Sequence, residues 1–362
     1  MSYPDWEQVK ADAFDGSYLT LKDLPMIDSE TPTFMARPLA KSAKDLIGAD
    51  VVIIGSTYVA GSDEYAGVAK IDWMAAAKRV RQQSNRYLSG YVQEFDIDVF
   101  EHLKVVDYGN AILPASCMES LTPENILEAQ AEVEKKVSDV LAAGAIPIVI
   151  GQNSPCSSYA IAKPISEATQ GNVGMVSLDT HWDSEPVDDL TNDPRIAGSA
   201  NWKLKTYETL SNFLPKDLVE IGERGMLENK NTIRNYIKQG ANFYPMWKIR
   251  RSLGIEGLCE EIGRAYEDTE AVYVHFDMDV IGGAGPVPGD ILGELAEPMG
   301  MTDYEVLRIA NEVGRRGLTG MSFICIPPGS NVIYRLITYI IMFLMAGIIE
   351  QRQQGENDEE SV

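Results

Sequence analysis

Residues 172–183 read NVGMVSLDTHWD, and residues 269–279 read TEAVYVHFDMD. Each is an apolar run that ends in clustered carboxylates beside a histidine. Continuous apolar runs of this length fit strands buried on both faces of a parallel sheet. In open parallel sheets, ligands gather at the carboxyl ends of the strands, and both clusters stand there. Alternate residues of an extended chain share a face. Asp179, His181 and Asp183 are therefore expected to converge if the extension persists, and so are Asp277 and Asp279. Four carboxylates and an imidazole in one pocket repel one another unless a cation joins them. A mixed oxygen and nitrogen donor set suits Mn, Fe, Ni or Zn rather than a thiolate metal. Either cluster alone is a frequent coincidence, since loop aspartates often cap helices. Both together, each behind an apolar strand, point to a metal-type site.

The flanking chain repeats the pattern. Further strands are expected at residues 50–55 (DVVIIG), 104–108, 146–151 (IPIVIG), 218–222, 241–244 and 318–326. Helices are expected around residues 73–87, at 123–143 behind a Thr122 N-cap with Pro123 at the first helical position, and at 230–239, 254–266, 302–315 and 332–353. Strands alternating with helices give an α/β fold, a central parallel sheet flanked by helices in three layers. Residues 1–45 read as an extended N-terminal arm, 46–353 as one α/β domain, and 354–362 as a solvated acidic tail.

The 362-residue chain carries a formal charge of -23. Such a surface repels nucleic acid and anionic membranes and favours a small cationic substrate. Cys117, Cys156, Cys259 and Cys325 are far apart and form no CxxC pair, as expected of reduced cytoplasmic thiols. The first residues show neither a basic nor an apolar stretch, so no secretory signal is expected. The apolar run at residues 336–349 is short for a membrane span and is expected to be a buried C-terminal helix.

SLDTHWD and HFDMDV resemble the two central signatures of the ureohydrolase family, which includes arginases and agmatinases. Residues 53–67 (IIGSTYVAGSDEYAG) are similar to its first strand and substrate loop, VVDYGN to its D-x-G-D segment, and LVEIGERG to the segment after the metal loop. The similarity runs from about Val51 to the C-terminal helix. THWDSEP, GSANWK and VHFDMD look closest to the guanidine- and biguanide-hydrolase branch, which includes metformin hydrolase. The resemblance implies an arginase-like fold. It also implies hydrolysis of a guanidino group to urea and an amine, with two divalent ions, Ni or Mn, sharing a hydroxide. It places Asp179 and Asp277 as bridging ligands, with His181 and Asp279 completing one position and Asp183 the other. Asp183 would also hold the hydroxide. Trimers or hexamers are implied as well.

The chain departs from that pattern. Asn153 stands where the G-G-D-H-S segment supplies a histidine ligand, and a neutral amide oxygen is a weak donor for a transition metal. Asn201 takes the place of a second histidine near the substrate, and Asn cannot shuttle protons. Residues 323–327 (FICIP), with Cys325, lack the carboxylate that grips a guanidinium, and Asn110 replaces an Asp. The chain has 3 His: His102, His181 and His275. His275 is placed to line the pocket beside Asp277, although such a strand histidine is more often a satisfied core residue. Three readings follow. The chain is a non-catalytic or weakly catalytic subunit beside an active paralogous ureohydrolase subunit, with one ion or none. Alternatively, it is an active amidinohydrolase, or a protein that binds a cationic ligand without turnover.

Overall fold

The computed structural model describes residues 24–60, 64–65, 68–186, 193–226, 228–282 and 297–360. The expected apolar runs become β1 (Val51–Gly55), β2 (Val105–Asn110), β3 (Ile146–Ile150), β4 (Val173–Leu178), β5 (Phe213–Ile221), β6 (Asn242–Tyr244), β7 (Ala271–Asp277) and β8 (Gly320–Ile324). They join in one 8-stranded sheet in the order β6-β5-β4-β7-β8-β3-β1-β2, with every neighbouring pair parallel. The two motif-bearing strands, far apart in sequence, are therefore central neighbours. Ser177 lies opposite His275 and Leu178 opposite Phe276.

The main helices are α1 (Ala76–Ser84), α2 (Pro123–Ala142), α3 (Ala160–Ala168), α4 (Trp202–Thr209), α5 (Lys230–Lys238), α6 (Gly254–Glu261), α7 (Asp303–Arg316) and α8 (Asn331–Glu360). One sheet face packs Ile53, Leu178, Val274 and Phe276 against α1, α6, α7 and α8. The other packs Val52, Met175, Leu218 and Tyr273 against α2 to α5. This is the expected three-layer, arginase-like architecture. The Thr122 hydroxyl caps α2 by accepting the Asn125 N–H. The α3 and α4 helices were not foreseen: α3 contains Pro164, and WKLKTYET in α4 has no one-sided apolar stripe.

The α8 helix is long and apolar enough to cross a membrane by length and composition, yet 72% of its most apolar window is buried within the protein. It is the expected buried C-terminal helix. A methyl group on Gly347 would lie 2.2 Å from the Asn311 carbonyl of α7, so glycine permits this close approach. The helix runs on to Glu360, and residues 354–360 continue it instead of forming a separate tail. Residues 24–46 lie on the domain itself: Phe34 and Met35 are fully buried, and the Phe34 N–H donates to Asp107.

Candidate metal centre

Both motifs make the same local move. Asp179 Oδ1 accepts the His181 N–H at 2.7 Å, and Asp277 Oδ1 accepts the Asp279 N–H at 2.8 Å. A carboxylate that captures a backbone N–H two residues on forces a turn. The expected persistence of extended chain therefore fails at the first Asp of each motif. Instead of staying on the sheet face, His181 turns toward the other loop, with Nδ1 2.9 Å from Asp279 Oδ2. Thr180 ties the loops together, donating its N–H to Asp279 Oδ1 at 3.0 Å and its hydroxyl to the Asp279 carbonyl at 2.8 Å. The Arg224 guanidinium braces the same turn through the carbonyls of Asp279 and Val280, at 2.8 and 3.2 Å.

Among the described residues, two donor groups result, Asp179–His181–Asp279 and Asp179–His275–Asp277, with ligand atoms within 4.8 Å of one another in each. Asp183 joins neither. Its backbone is left-handed, with φ 47°, and its Oδ2 accepts the Trp202 indole N–H at 3.0 Å. Asn153 Oδ1 accepts the Ala60 N–H at 2.7 Å, which ties the side chain to the adjoining loop. Asn201 precedes α4, and its Oδ1 is buried without a partner. The Cys325 thiol lies beside Asp277, and burial together with the carboxylates pushes it well above its usual range. Asn110 Oδ1 accepts from Arg81 at 2.7 Å, inside a structural pair described below. Residues 61–63 and 66–67, within the expected substrate loop, and residues 283–296 lie outside the described residues.

A further charged residue sits under the cluster. The Lys203 ammonium, fully buried at the start of α4, is 3.1 Å from Asp179 Oδ2 and 2.9 Å from Glu220 Oε1. Sequence reasoning quoted both segments but gave neither residue a role. The available signal was Glu220 itself, a carboxylate inside the apolar strand LVEIG, which must find a partner when buried. Burial and the opposing charges leave clear directions. Burial works against the Lys203 cation, but Asp179 and Glu220 hold it well above its usual value. Burial raises Asp179 to about 6, with Lys203 opposing. Burial and neighbouring carboxylates push Asp277 well up. Burial alone would lower His181, yet the Asp279 hydrogen bond and charge lift it to about 11. Burial, reinforced by Lys203, drives His275 well below 6.5 and keeps it neutral.

These residues fit a divalent ion. Carboxylate and imidazole donors approach one another within each group, and the buried His275 Nε2 has no hydrogen-bond partner. A neutral imidazole nitrogen and ionisable carboxylates are the donors that Mn or Ni takes.

Comparisons with known proteins bear on the family and the fold. A family model described as "Arginase: Arginase family" matches residues 49–334. The chain is 26% identical over 212 residues to a formimidoylglutamase of Halobacterium salinarum, spanning 56% of this chain and 62% of that relative's length. The fold superposes on a Trypanosoma cruzi formiminoglutamase structure containing Mn2+ with TM-score 0.70 and 22% identity, covering 88% of this chain and 98% of that one. It superposes on proclavaminate amidino hydrolase from Streptomyces clavuligerus with TM-score 0.69 and 21% identity, covering 89% and 98%. With more than three-quarters of its length matched by the family model, the chain belongs to the arginase family.

Proposed function

We propose that the chain is a weakly catalytic subunit of a heteromeric, cytoplasmic amidinohydrolase acting on a guanidine or biguanide compound. In this reading it supports a paralogous ureohydrolase subunit within a trimer or hexamer. The observation that carries the reading is Asn153. At the expected histidine-ligand position stands a neutral amide oxygen, a weak donor for a transition metal, which already accepts the Ala60 N–H. Two further features point the same way. Asn201 cannot exchange a proton at neutral pH, and Cys325 brings a thiol where a guanidinium needs a carboxylate. The chain's excess of acidic side chains draws in a cationic guanidino group. Asp179, His181 and Asp279 would hold one divalent ion, Ni or Mn, which when bound supplies Lewis-acid polarisation and an activated water. Asp277 and Asp183 add negative charge around it.

A second reading, an active metal-dependent amidinohydrolase, is favoured by one observation: a second donor group exists at Asp179–His275–Asp277. The two separate in one experiment. The chain is expressed alone and with a paralogous ureohydrolase that keeps an intact GGDHS segment, and urea or amine release from guanidino and biguanide compounds is measured with Ni or Mn. The subunit reading expects strong turnover only in the mixture, surviving Asp277→Ala in this chain. Turnover by the chain alone, lost in Asp277→Ala, would establish the second reading instead.

A further inference from the structure

Beneath the strand-end carboxylates, a polar row crosses the sheet. Strand pairing sets Glu220 opposite Ser177, Ser177 opposite His275, and His275 opposite Ser322. All four residues are fully buried. A buried histidine normally spends both ring nitrogens on hydrogen bonds, but His275 spends one. Nδ1 lies 3.2 Å from Ser322 Oγ, while Nε2 has no partner.

The hydrogen bonds around Nδ1 select one tautomer when the Tyr273 hydroxyl donates to the Ser158 carbonyl, which can only accept, at 3.3 Å. The 2.6 Å contact between Tyr273 and Ser322 then takes its hydrogen from Ser322. With its one proton used, Ser322 can only accept from His275. Nδ1 therefore carries the ring proton, and Nε2 presents a bare lone pair. A second-shell oxygen that fixes the tautomer in this way is the usual support of a metal-ligating histidine. Trp202 holds the ring from the side, with centroids 4.4 Å apart.

We infer that His275 replaces the ligand missing at Asn153, so that Asp179, His275 and Asp277 form a second divalent-metal position seated deeper than the Asp179–His181–Asp279 position. Ligand atoms of the three residues lie within 4.8 Å of one another. Asp179 serves both positions, because each carboxylate oxygen accepts more than one bond. Its Oδ2 also holds Lys203, and that fixed positive charge makes the deeper position the weaker of the two. Loading and turnover thereby separate. His275 restores the donor count without restoring the proton shuttle absent at Asn201. The inference shares with the functional reading only its premise that the chain binds a divalent metal.

The test is the manganese content of the full-length chain, stripped with chelator and equilibrated with Mn2+ alone. We expect two Mn2+ per chain with unequal affinities. His275→Ser should retain only the tighter ion, and His181→Ala only the weaker. Asn153→Ala should keep both. If His275→Ser fails to fold, His275→Gln and pulsed EPR of the wild type read the same point, because two inequivalent imidazole nitrogens should couple to manganese. Two ions retained in a folded His275→Ser, or coupling to a single imidazole, overturns the inference. One Mn2+ or none on the wild type overturns it, whereas the subunit reading, which allows one ion or none, is decided separately by turnover of the chain alone and in the mixture.

Discussion

Among the described residues, two fully buried cations pair with carboxylates, and they are built differently. Arg81 donates to both oxygens of Asp107 at 2.8 and 3.0 Å, and also to Asn110 Oδ1 and the Gly109 carbonyl. Asp107 in turn accepts the N–H groups of Phe34 and Gly109. Every arm of that pair is engaged. Lys203 spans Asp179 and Glu220, yet around it Glu220 Oε2, Glu223 Oε1, Asn201 Oδ1 and His275 Nε2 are buried without partners. Buried polar atoms are almost always hydrogen-bonded, so a local concentration of orphaned acceptors needs explaining. A closed pair is architecture. A cluster of acceptors around too little positive charge is a cation site. Family membership alone does not make this distinction, because both regions lie within the matched segment.

The sharpest way to break the comparison is to remove each cation. Arg81→Met leaves Asp107 buried and unpaired, and removing one partner of a buried pair costs about 3–5 kcal/mol. Urea denaturation should show that loss equally with and without Mn2+. Lys203→Met should cost somewhat less in metal-free protein, because Asp179 and Glu220 can each take up a proton. Excess Mn2+ should then recover much of the loss, since a ligand at a hundred times its dissociation constant contributes about 2.7 kcal/mol. Equal losses for Lys203→Met with and without Mn2+ would erase the distinction between the two pairs.

The fold was legible because the strands are unbroken apolar runs and the helix starts carry side-chain signals such as Thr122 before Pro123. The carboxylates of the site were legible because strand ends in parallel sheets face the ligand. What could not be read depends on contacts between distant segments. Asn153 Oδ1 accepts the N–H of Ala60, 93 positions away in sequence. Glu220 reaches the centre only because β5 pairs with β4 so that it stands opposite Ser177. His275 was placed to line the pocket, but which of its ring nitrogens is left without a partner depends on Tyr273 and Ser322. Asp183 was placed among the ligands; its charge acts on Asp179 and Asp277, but with a left-handed backbone and a bond to Trp202 it belongs to neither donor group. Spacing identifies donor types, whereas strand pairing decides which of them meet.

A smaller effect sharpens the open side of the comparison. His181 rises from 6.5 to about 11 in the folded chain, where burial opposes its charge but Asp279 prevails. A group whose folded value is raised stabilises the protein fully below the unfolded value and loses that contribution as pH climbs toward the folded one. Metal-free protein should therefore lose stability between pH 6.5 and 9 relative to His181→Asn, by on the order of 1 kcal/mol once solvent screening of this partly exposed pair is allowed for. The measurement is the urea midpoint of both proteins at the two pH values. Saturating Mn2+ should reverse the trend, because a metal binds the neutral imidazole and must displace its proton, so affinity rises with pH. The Arg81–Asp107 pair, with every arm engaged, should not respond to metal. A pH slope unchanged by His181→Asn would mean that the proton lost in this range belongs to the carboxylates, and that His181 and Asp279 meet without sharing charge.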